Sequence, residues 1–375
     1  MSDASFRIML LRGDGAGPEV IDEAAKTLDL AARLGGFAVE FVDAQIGGSA
    51  IDAHGTPIRE EDIRTARTCD AILLGAVGGP AWDHLDRANR PEAGLLRLRY
   101  ALGLFANLRP VKVFDALVDA SPVKPEFVRG VDLLIVRELT GGLYFGKPSK
   151  QWNTSRGRRA VDTLIYREHE IERVVRLAFQ LASTRRRKVT SVDKANVLST
   201  SQLWRAIASG IASEHPEIET EHALVDSCAM RLISRPRDYD VMVMENTFGD
   251  ILSDEAAVLA GSLGMLPSAS LNGLKPARRG TAALQFGMYE PIHGSAPDIA
   301  GKGIANPTGA ILSAAMMLRA SLGRTREADA IESAVDAALK AGARTADIAL
   351  GRQALSTPAF GDAVRGHLEG IVHAD

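Results

Sequence analysis

The fold turns on the stretch Met244–Glu255, MENTFGDILSDE. The apolar run that ends in Val241 and Val243 predicts a buried strand entering it. Asp250 and Asp254 then stand four residues apart at the start of a predicted helix, so both carboxylates fall on one helical face. Two carboxylates held side by side repel each other unless a cation lies between them. Oxygen-only donors on a short acidic face suit Mg²⁺ or Mn²⁺ rather than zinc. Taken alone, the pair reads equally well as a solvated helix face.

The same strand-then-polar-residue pattern recurs on both sides. Val131–Val136 runs into Arg137-Glu138-Leu139-Thr140-Gly141-Gly142-Leu143-Tyr144-Phe145-Gly146. Val189–Val192 runs into Asp193-Lys194, where partial desolvation can turn a lysine into a useful base. Ala223–Val225 reads as the end of a strand-like segment and leads to Asp226. Residues 147–167 are polar and irregular, as in an arm or exposed hairpin, and Ala256–Leu266 reads as a tightly packed core helix. Arg99, Arg109 and Arg137 each lie near the end of an apolar element, a pattern that suits a small polyanionic acid if they converge.

Near the N-terminus, Phe6–Leu11 predicts a strand, Gly13-Asp14-Gly15-Ala16-Gly17-Pro18 a turn, and Val20, Ala24, Leu28 and Ala31 a helix, with a second strand over Val39–Val42. This is a βαβ unit, but the glycines alternate and a proline opens the helix, so the G-x-G-x-x-G spacing of a Rossmann site is not met. A second glycine-rich turn, 75–80, follows the strand Ala71–Leu74. In PEAGLLRLR (91–99), Glu92, Leu95, Leu96 and Arg99 share a helical face: an acid, two leucines and an arginine. Tyr289–Pro307 is a long Gly- and Pro-rich loop of the kind that is usually functional. The tail from Thr325 holds two amphipathic helices and no chemistry.

At 375 residues the chain is long for one core, which predicts two domains. A net charge of −3 gives no support for a nucleic-acid or membrane-surface partner. Two cysteines, Cys69 and Cys228, cannot make a disulfide framework and read as small core residues in a reducing compartment. The start lacks a signal-peptide pattern and no apolar run reaches membrane-spanning length, so the expected location is the cytoplasm.

Taken in order, GDGAGPEV (13–20), PEAGLLRLR (91–99), LFANLRP (104–110), RELTGGLYFG (137–146), SVDKANVL (191–198), ENTFGDILSD (245–254) and HGSAPDIAGKGIANPTGAILS (293–313) resemble the isocitrate/isopropylmalate family of β-decarboxylating dehydrogenases over nearly the whole chain. The resemblance implies an α/β, two-domain, non-Rossmann fold with a discontinuous first domain. That domain would comprise 1–104 plus 261–375 and bind cofactor. Residues 105–260 would bind substrate and metal and form a homodimer with shared active sites. The implied metal ligands are Asp250, Asp254 and the partner subunit's Asp226 around Mg²⁺ or Mn²⁺.

By the same resemblance, Lys194 is the base for the C2 hydroxyl, acting from the neighbouring subunit, and Tyr144 returns a proton to C3. Arg99, Arg109 and Arg137 hold two carboxylates, and Asp226 lies at the substrate. Leu95 and Leu96 suit an alkyl group where isocitrate relatives receive a third carboxylate. His293, Gly294, Ser295, Ala296, Pro297, Asp298, Ile299 and Asn306 wrap the adenosine half of NAD, with Glu92 near the nicotinamide ribose. Asp298 and Ile299 favour NAD over NADP. The implied reaction is oxidative decarboxylation of a 3-alkylmalate, with isopropyl as the expected alkyl group. D-malate, a longer alkylmalate, or a non-catalytic regulatory role are the alternatives. The chain departs from the family pattern at Arg12 and Ala16, where only packing is expected to differ, and in a longer segment over Leu271–Phe286.

Overall fold

The computed structural model describes residues 4–273 and 285–374. Of the segment Leu271–Phe286, residues 274–284 lie outside the described residues. The chain divides into two units: Met1–Leu104 with Phe114–Pro122 and Ala260–Asp375, and Phe105–Val113 with Val123–Leu259. Phe114–Pro122 thus goes to the first unit, unlike the division expected from sequence. Two contacts anchor it there. Arg344 Nη2 donates to the Ala116 carbonyl at 2.8 Å, and Gly261, at φ +84, lies against Ala120 with no room for a side chain.

The first unit is built on five strands in the spatial order Ala38–Ala44, Ser5–Gly13, Ala71–Ala76, Gly287–Pro291, Pro267–Leu271. All pair in parallel except the last two, which are antiparallel. The central strands are apolar without alternation because both faces are covered. Met9, Leu11, Ile72 and Leu74 point to one side, into a core shared with Ile46, Ile63, Leu98 and Met288. The helix Gly17–Leu34 packs against both Thr308–Ala320 and Thr357–Ala374. Arg12 bonds Asp22 at 2.9 Å and also pairs with Asp43, so its departure from the family pattern is met by surface ion pairs.

The second unit has strands in the order Ala106–Lys112, Asp132–Glu138, Val241–Met244, Lys188–Asp193, Glu219–Leu224, parallel except for the first pair. Residues Lys150–Thr154 and Gly157–Val161 form a separate exposed hairpin. Two local expectations are corrected. Val225 opens the helix Val225–Ser234, so Asp226 sits in its first turn, where the helix dipole favours a carboxylate. The helix expected over Ala256–Leu266 is absent. The helix Asn246–Ala257 ends there and short 3₁₀ turns follow, broken by the positive φ of Gly261 and by Ser262 Oγ accepting from Gly264 N. Both cysteines are free and buried, and burial pushes the Cys228 thiol up to about 11.

In the first unit, three glycine-bearing turns at strand ends hang on one acid. Asp14 is 4 % exposed, and its carboxylate accepts from the backbone N–H groups of Gly48, Ser49 and Gly78, each at 2.8 Å. Gly47 and Gly78 have positive φ, and an added side chain at either would meet Asp14 or Glu92. Asp14→Asn replaces one acceptor oxygen with a donor facing N–H groups. Urea unfolding of the variant is expected to lose about 3 kcal/mol, the scale of charge-assisted bonds lost with a buried group left unpaired.

Candidate active site

In the second unit the C-terminal ends of the parallel strands carry the chemistry, as expected for ligands of open α/β sheets. Arg137 is the penultimate residue of Asp132–Glu138, and Asn246 begins the helix after Val241–Met244. Arg137, 7 % exposed, donates from Nε and Nη2 to Asn246 Oδ1 at 3.0 and 2.8 Å, and its Nη1 bonds Asp250. Gly249 makes this crossing possible, since a Cβ there would lie 2.5 Å from Arg137 Cγ. Arg109 donates from Nε to Asn107 Oδ1 at 2.7 Å and from Nη1 to Ser253 Oγ at 2.7 Å and Asp254 Oδ1 at 3.0 Å. Tyr144 donates to Asp250 Oδ2 at 3.0 Å. Burial, then the charge of Asp250, pushes the Tyr144 phenol above its ordinary range, which keeps it protonated. Arg109, Arg137, Tyr144, Asp250 and Asp254 therefore form one cluster.

Lys194 and Asp226 form another. Lys194 Nζ bonds Asp226 Oδ1, and this bond is the first cause holding the Asp226 carboxyl below its usual range. Among the described residues no three His, Cys, Asp or Glu side chains come together around a possible ion. Asp226 is thus not brought beside Asp250 and Asp254 within one chain. Those two carboxylates, Asp250 half-buried and Asp254 exposed, one turn apart and flanked by arginines, are hard donors that fit part of a Mg²⁺ or Mn²⁺ shell.

The first unit holds the remaining candidates. On the helix Pro91–Ala101 the buried positions are Pro91, Gly94 and Leu98. Leu95 only leans on the core, while Leu96 and Glu92 are exposed, so this face is not the core stripe. Arg99 pairs with Glu290, and its Nε lacks a partner among the described residues. A cavity of about 270 Å³ is lined by Ala16, His293, Ala296, Ile299, Asn306 and Asp347, among others. Ala296 holds φ +43, uncommon for a non-glycine residue and typical of constrained functional loops. Among the described residues His293 Nε2 is buried with no partner, a polar atom waiting for an acceptor or donor, and burial lowers the imidazole below its ordinary range. These features fit the adenosine part of a dinucleotide.

Not every expected residue joins that cavity. Gly294, Pro297 and Asp298 are exposed outside its walls. Ser295 is buried and its carbonyl accepts Ala16 N at 2.7 Å, which docks the 13–17 turn on this loop. Glu92 sits over Gly78. The acid in the cavity wall is Asp347, from the tail that showed no chemistry as sequence. It is held by Asn306 Nδ2 at 3.0 Å, Thr345 Oγ1 at 2.5 Å and Ser262 Oγ. A buried trio in the second unit, Glu138, Tyr166 and Glu245, was also not singled out from sequence.

Parallel-sheet units with polar clusters at their strand ends, an acidic pair on one helix face and a separate apolar-walled cavity fit a dehydrogenase with a non-Rossmann cofactor site. The chain belongs to the isocitrate/isopropylmalate dehydrogenase family, whose model matches residues 7–364. It is 55% identical to a 3-isopropylmalate dehydrogenase of Anaeromyxobacter dehalogenans over 358 residues, 96% of this chain and 98% of that one. It is 56% identical to a 3-isopropylmalate dehydrogenase of Bacillus licheniformis, covering 96% and 95%. Among solved structures it resembles an isocitrate dehydrogenase from Methylococcus capsulatus (TM-score 0.83, 34% identity, 97% and 99% covered). It also resembles a β-decarboxylating dehydrogenase from Thermococcus kodakarensis (TM-score 0.79, 35% identity, 99% and 98% covered). Among the described residues no helix is long and apolar enough to cross a membrane.

Proposed function

We propose that this chain oxidises 3-isopropylmalate at C2 and releases CO₂, yielding 4-methyl-2-oxopentanoate in leucine biosynthesis, with NAD and Mg²⁺ or Mn²⁺. The observation that carries the choice of substrate is the Leu95–Leu96 pair, whose side chains offer no polar partner to a third carboxylate. Burying an ionised carboxyl there unpaired costs several kcal/mol.

In this reading Arg109 and Arg137 fix the carboxylates in the second unit, with Arg99 assigned the same role from the first. Each guanidinium presents a planar fork already oriented by Asn107, Asn246 or Glu290. Lys194 removes the proton from the C2 hydroxyl as hydride leaves C2. Tyr144, kept as a phenol, gives its proton to C3 after CO₂ departs. Asp250 and Asp254, with the partner subunit's Asp226, would hold the metal ion, which supplies Lewis acidity at the C2 oxygen. NAD, the hydride acceptor, is assigned to the cavity of His293, Ala296, Ile299 and Asn306 together with Gly294, Ser295, Pro297 and Asp298, and Glu92 is assigned to its nicotinamide ribose. Asp298 and Asp347 both disfavour the extra phosphate of NADP.

The homodimer is part of the same proposal. Met230 on Val225–Ser234, and Ile251 and Val258 on and just after Asn246–Ala257, are large apolar side chains left exposed beside Asp226, Asp250 and Asp254. Apolar exposure around an incomplete set of metal donors supports a second copy covering it.

The test is reduction of NAD and NADP by the purified protein with Mg²⁺ or Mn²⁺, comparing 3-isopropylmalate, D-malate and isocitrate. The expected kcat/KM favours 3-isopropylmalate over isocitrate by more than about 10³-fold, the scale of an unpaired buried carboxylate. A preference for isocitrate or D-malate would overturn the substrate assignment.

A further inference from the structure

Glu138 and Glu245 converge on one phenol. Both are buried, at 0 % and 6 % exposed. Tyr166 Oη lies 3.2 Å from Glu138 Oε2 and 3.4 Å from Glu245 Oε2, and it accepts the Asn246 N–H at 2.9 Å. A phenol has one hydrogen and cannot donate to both carboxyls. The two glutamates are not equivalent. Glu138 Oε1 accepts from Thr140 N at 2.8 Å and Thr140 Oγ1 at 2.5 Å, and Oε2 accepts from Gly141 N at 2.8 Å. Arg173 stands 3.7 Å from the same carboxyl. Glu138 thus has the donors of an ionised carboxylate and is the better taker of the phenol hydrogen.

Glu245 has fewer donors. Its Oε1 caps the following helix through Phe248 N at 2.8 Å and its carboxyl also meets Thr247 N, while Oε2 lies against the Tyr166 oxygen. No cation bonds it. The charged and titratable groups around it are Glu138, Tyr144 and Tyr166, together with Asp193, which borders the same small cavity as Tyr166, Ser201 and Glu245. Asp193 is committed to Arg205, by bonds of 2.7 and 2.8 Å, and to Ala195 N. Every acid near Glu245 therefore disfavours a charge on it. Burial also raises both glutamate carboxyls above their usual range.

We propose that Glu245 is held as a neutral carboxylic acid whose Oε2 hydrogen goes to Tyr166, and that this one-proton trio positions Asn246 and hence Arg137. The chain of bonds is continuous. Glu245–H donates to Tyr166 Oη, Tyr166 donates to Glu138, and Asn246 N donates to Tyr166. Asn246 Nδ2 donates to the Gly141 carbonyl at 3.2 Å, and Asn246 Oδ1 receives both Arg137 donors. The 138–144 loop that carries Tyr144 is fixed by the same bonds. Tyr166, Glu245 and Asn246 are positioning residues that touch no substrate. The consequence for turnover rests on the substrate role given to Arg137, but the protonation state does not.

The experiment pairs infrared spectroscopy with kinetics. At neutral pH the wild-type protein shows the carbonyl stretch of an un-ionised carboxyl, and Glu245→Gln removes it. Glutamine mimics a neutral acid, so Glu245→Gln keeps kcat within about threefold and KM near wild type. Glu138→Gln turns an NH₂ toward Thr140 or Gly141 N–H, lowers kcat at least about tenfold and raises KM for the hydroxy acid. If Glu138→Gln fails to fold, the infrared band and the kinetics of Glu245→Gln still decide. A band that persists in Glu245→Gln, or a wild type without one, overturns the proposal. Equal damage from the two substitutions does so too. An intact band in a protein that turns over no 3-alkylmalate would instead leave the proton assignment standing and remove the functional reading.

Discussion

Lys194→Met lowers kcat by about 10³-fold, within the range for loss of a general base, while KM for the hydroxy acid changes little. Methionine keeps the length and apolar stem of lysine and removes the proton acceptor. The Lys194–Asp226 bond is the only interaction of Nζ among the described residues, so the substitution frees one largely exposed carboxylate and disturbs no core. Folding is therefore spared, and calorimetric binding of substrate with metal is expected to survive. Partial recovery of turnover with added small primary amines would tie the loss to proton transfer. Wild-type turnover in the variant would remove Lys194 from the mechanism.

Asp250→Asn is the second large effect. Asp250 receives both Arg137 Nη1 and the Tyr144 hydroxyl, so one carboxylate serves the guanidinium, the phenol and the proposed metal shell. The amide keeps the shape and loses the charge. The expected result is a loss in kcat of about 10³-fold, comparable to removal of a preorganised electrostatic group, with the activating Mn²⁺ concentration raised. The two variants together test subunit sharing. If the partner subunit's Lys194 serves the Asp250 cluster, a mixed dimer of Lys194→Met and Asp250→Asn chains has one site with both residues intact. Dissociating and reassociating equal amounts then restores about a quarter of wild-type activity, as random pairing of symmetric dimers requires. No recovery in a verified mixed dimer would place both residues in one chain's site.

Much of this was legible along the chain because the signals are local. The Asp250–Asp254 spacing, the alternating glycines after Phe6–Leu11 and the leucine pair on Pro91–Ala101 are each fixed by strand or helix geometry. Lys194 stood out through its position just after a buried strand, whereas Tyr144 was marked only by the family resemblance of RELTGGLYFG. What stayed hidden depends on long-range packing. Glu138 and Glu245 are ordinary acids in sequence, and they meet only because two parallel strands set their C-terminal ends side by side and a tyrosine from a connecting loop fills the gap. Asp347 lies in a tail of amphipathic helices and reaches the cavity wall through Asn306, some forty residues away. The pairing of Arg99 with Glu290 is equally invisible to spacing. The misread helix at Ala256–Leu266 shows the opposite limit, since small apolar residues there pack without continuing the helix past Ala257.

The first unit takes its chain from both ends, and this sets a timetable for synthesis. The strand Ala71–Ala76 pairs with Gly287–Pro291, and the helix Gly17–Leu34 rests on helices from the last third of the chain. On a ribosome the whole second unit emerges before Ala260–Asp375 is made. At ~5–20 residues per second the remaining stretch takes about 6–23 s. During that interval the second unit has everything it needs to fold, while the nascent first unit offers an open, apolar parallel edge with no partner, the kind of edge that recruits other chains. The demand for chaperone protection falls on the beginning of the polypeptide, although its last residues are what end that demand.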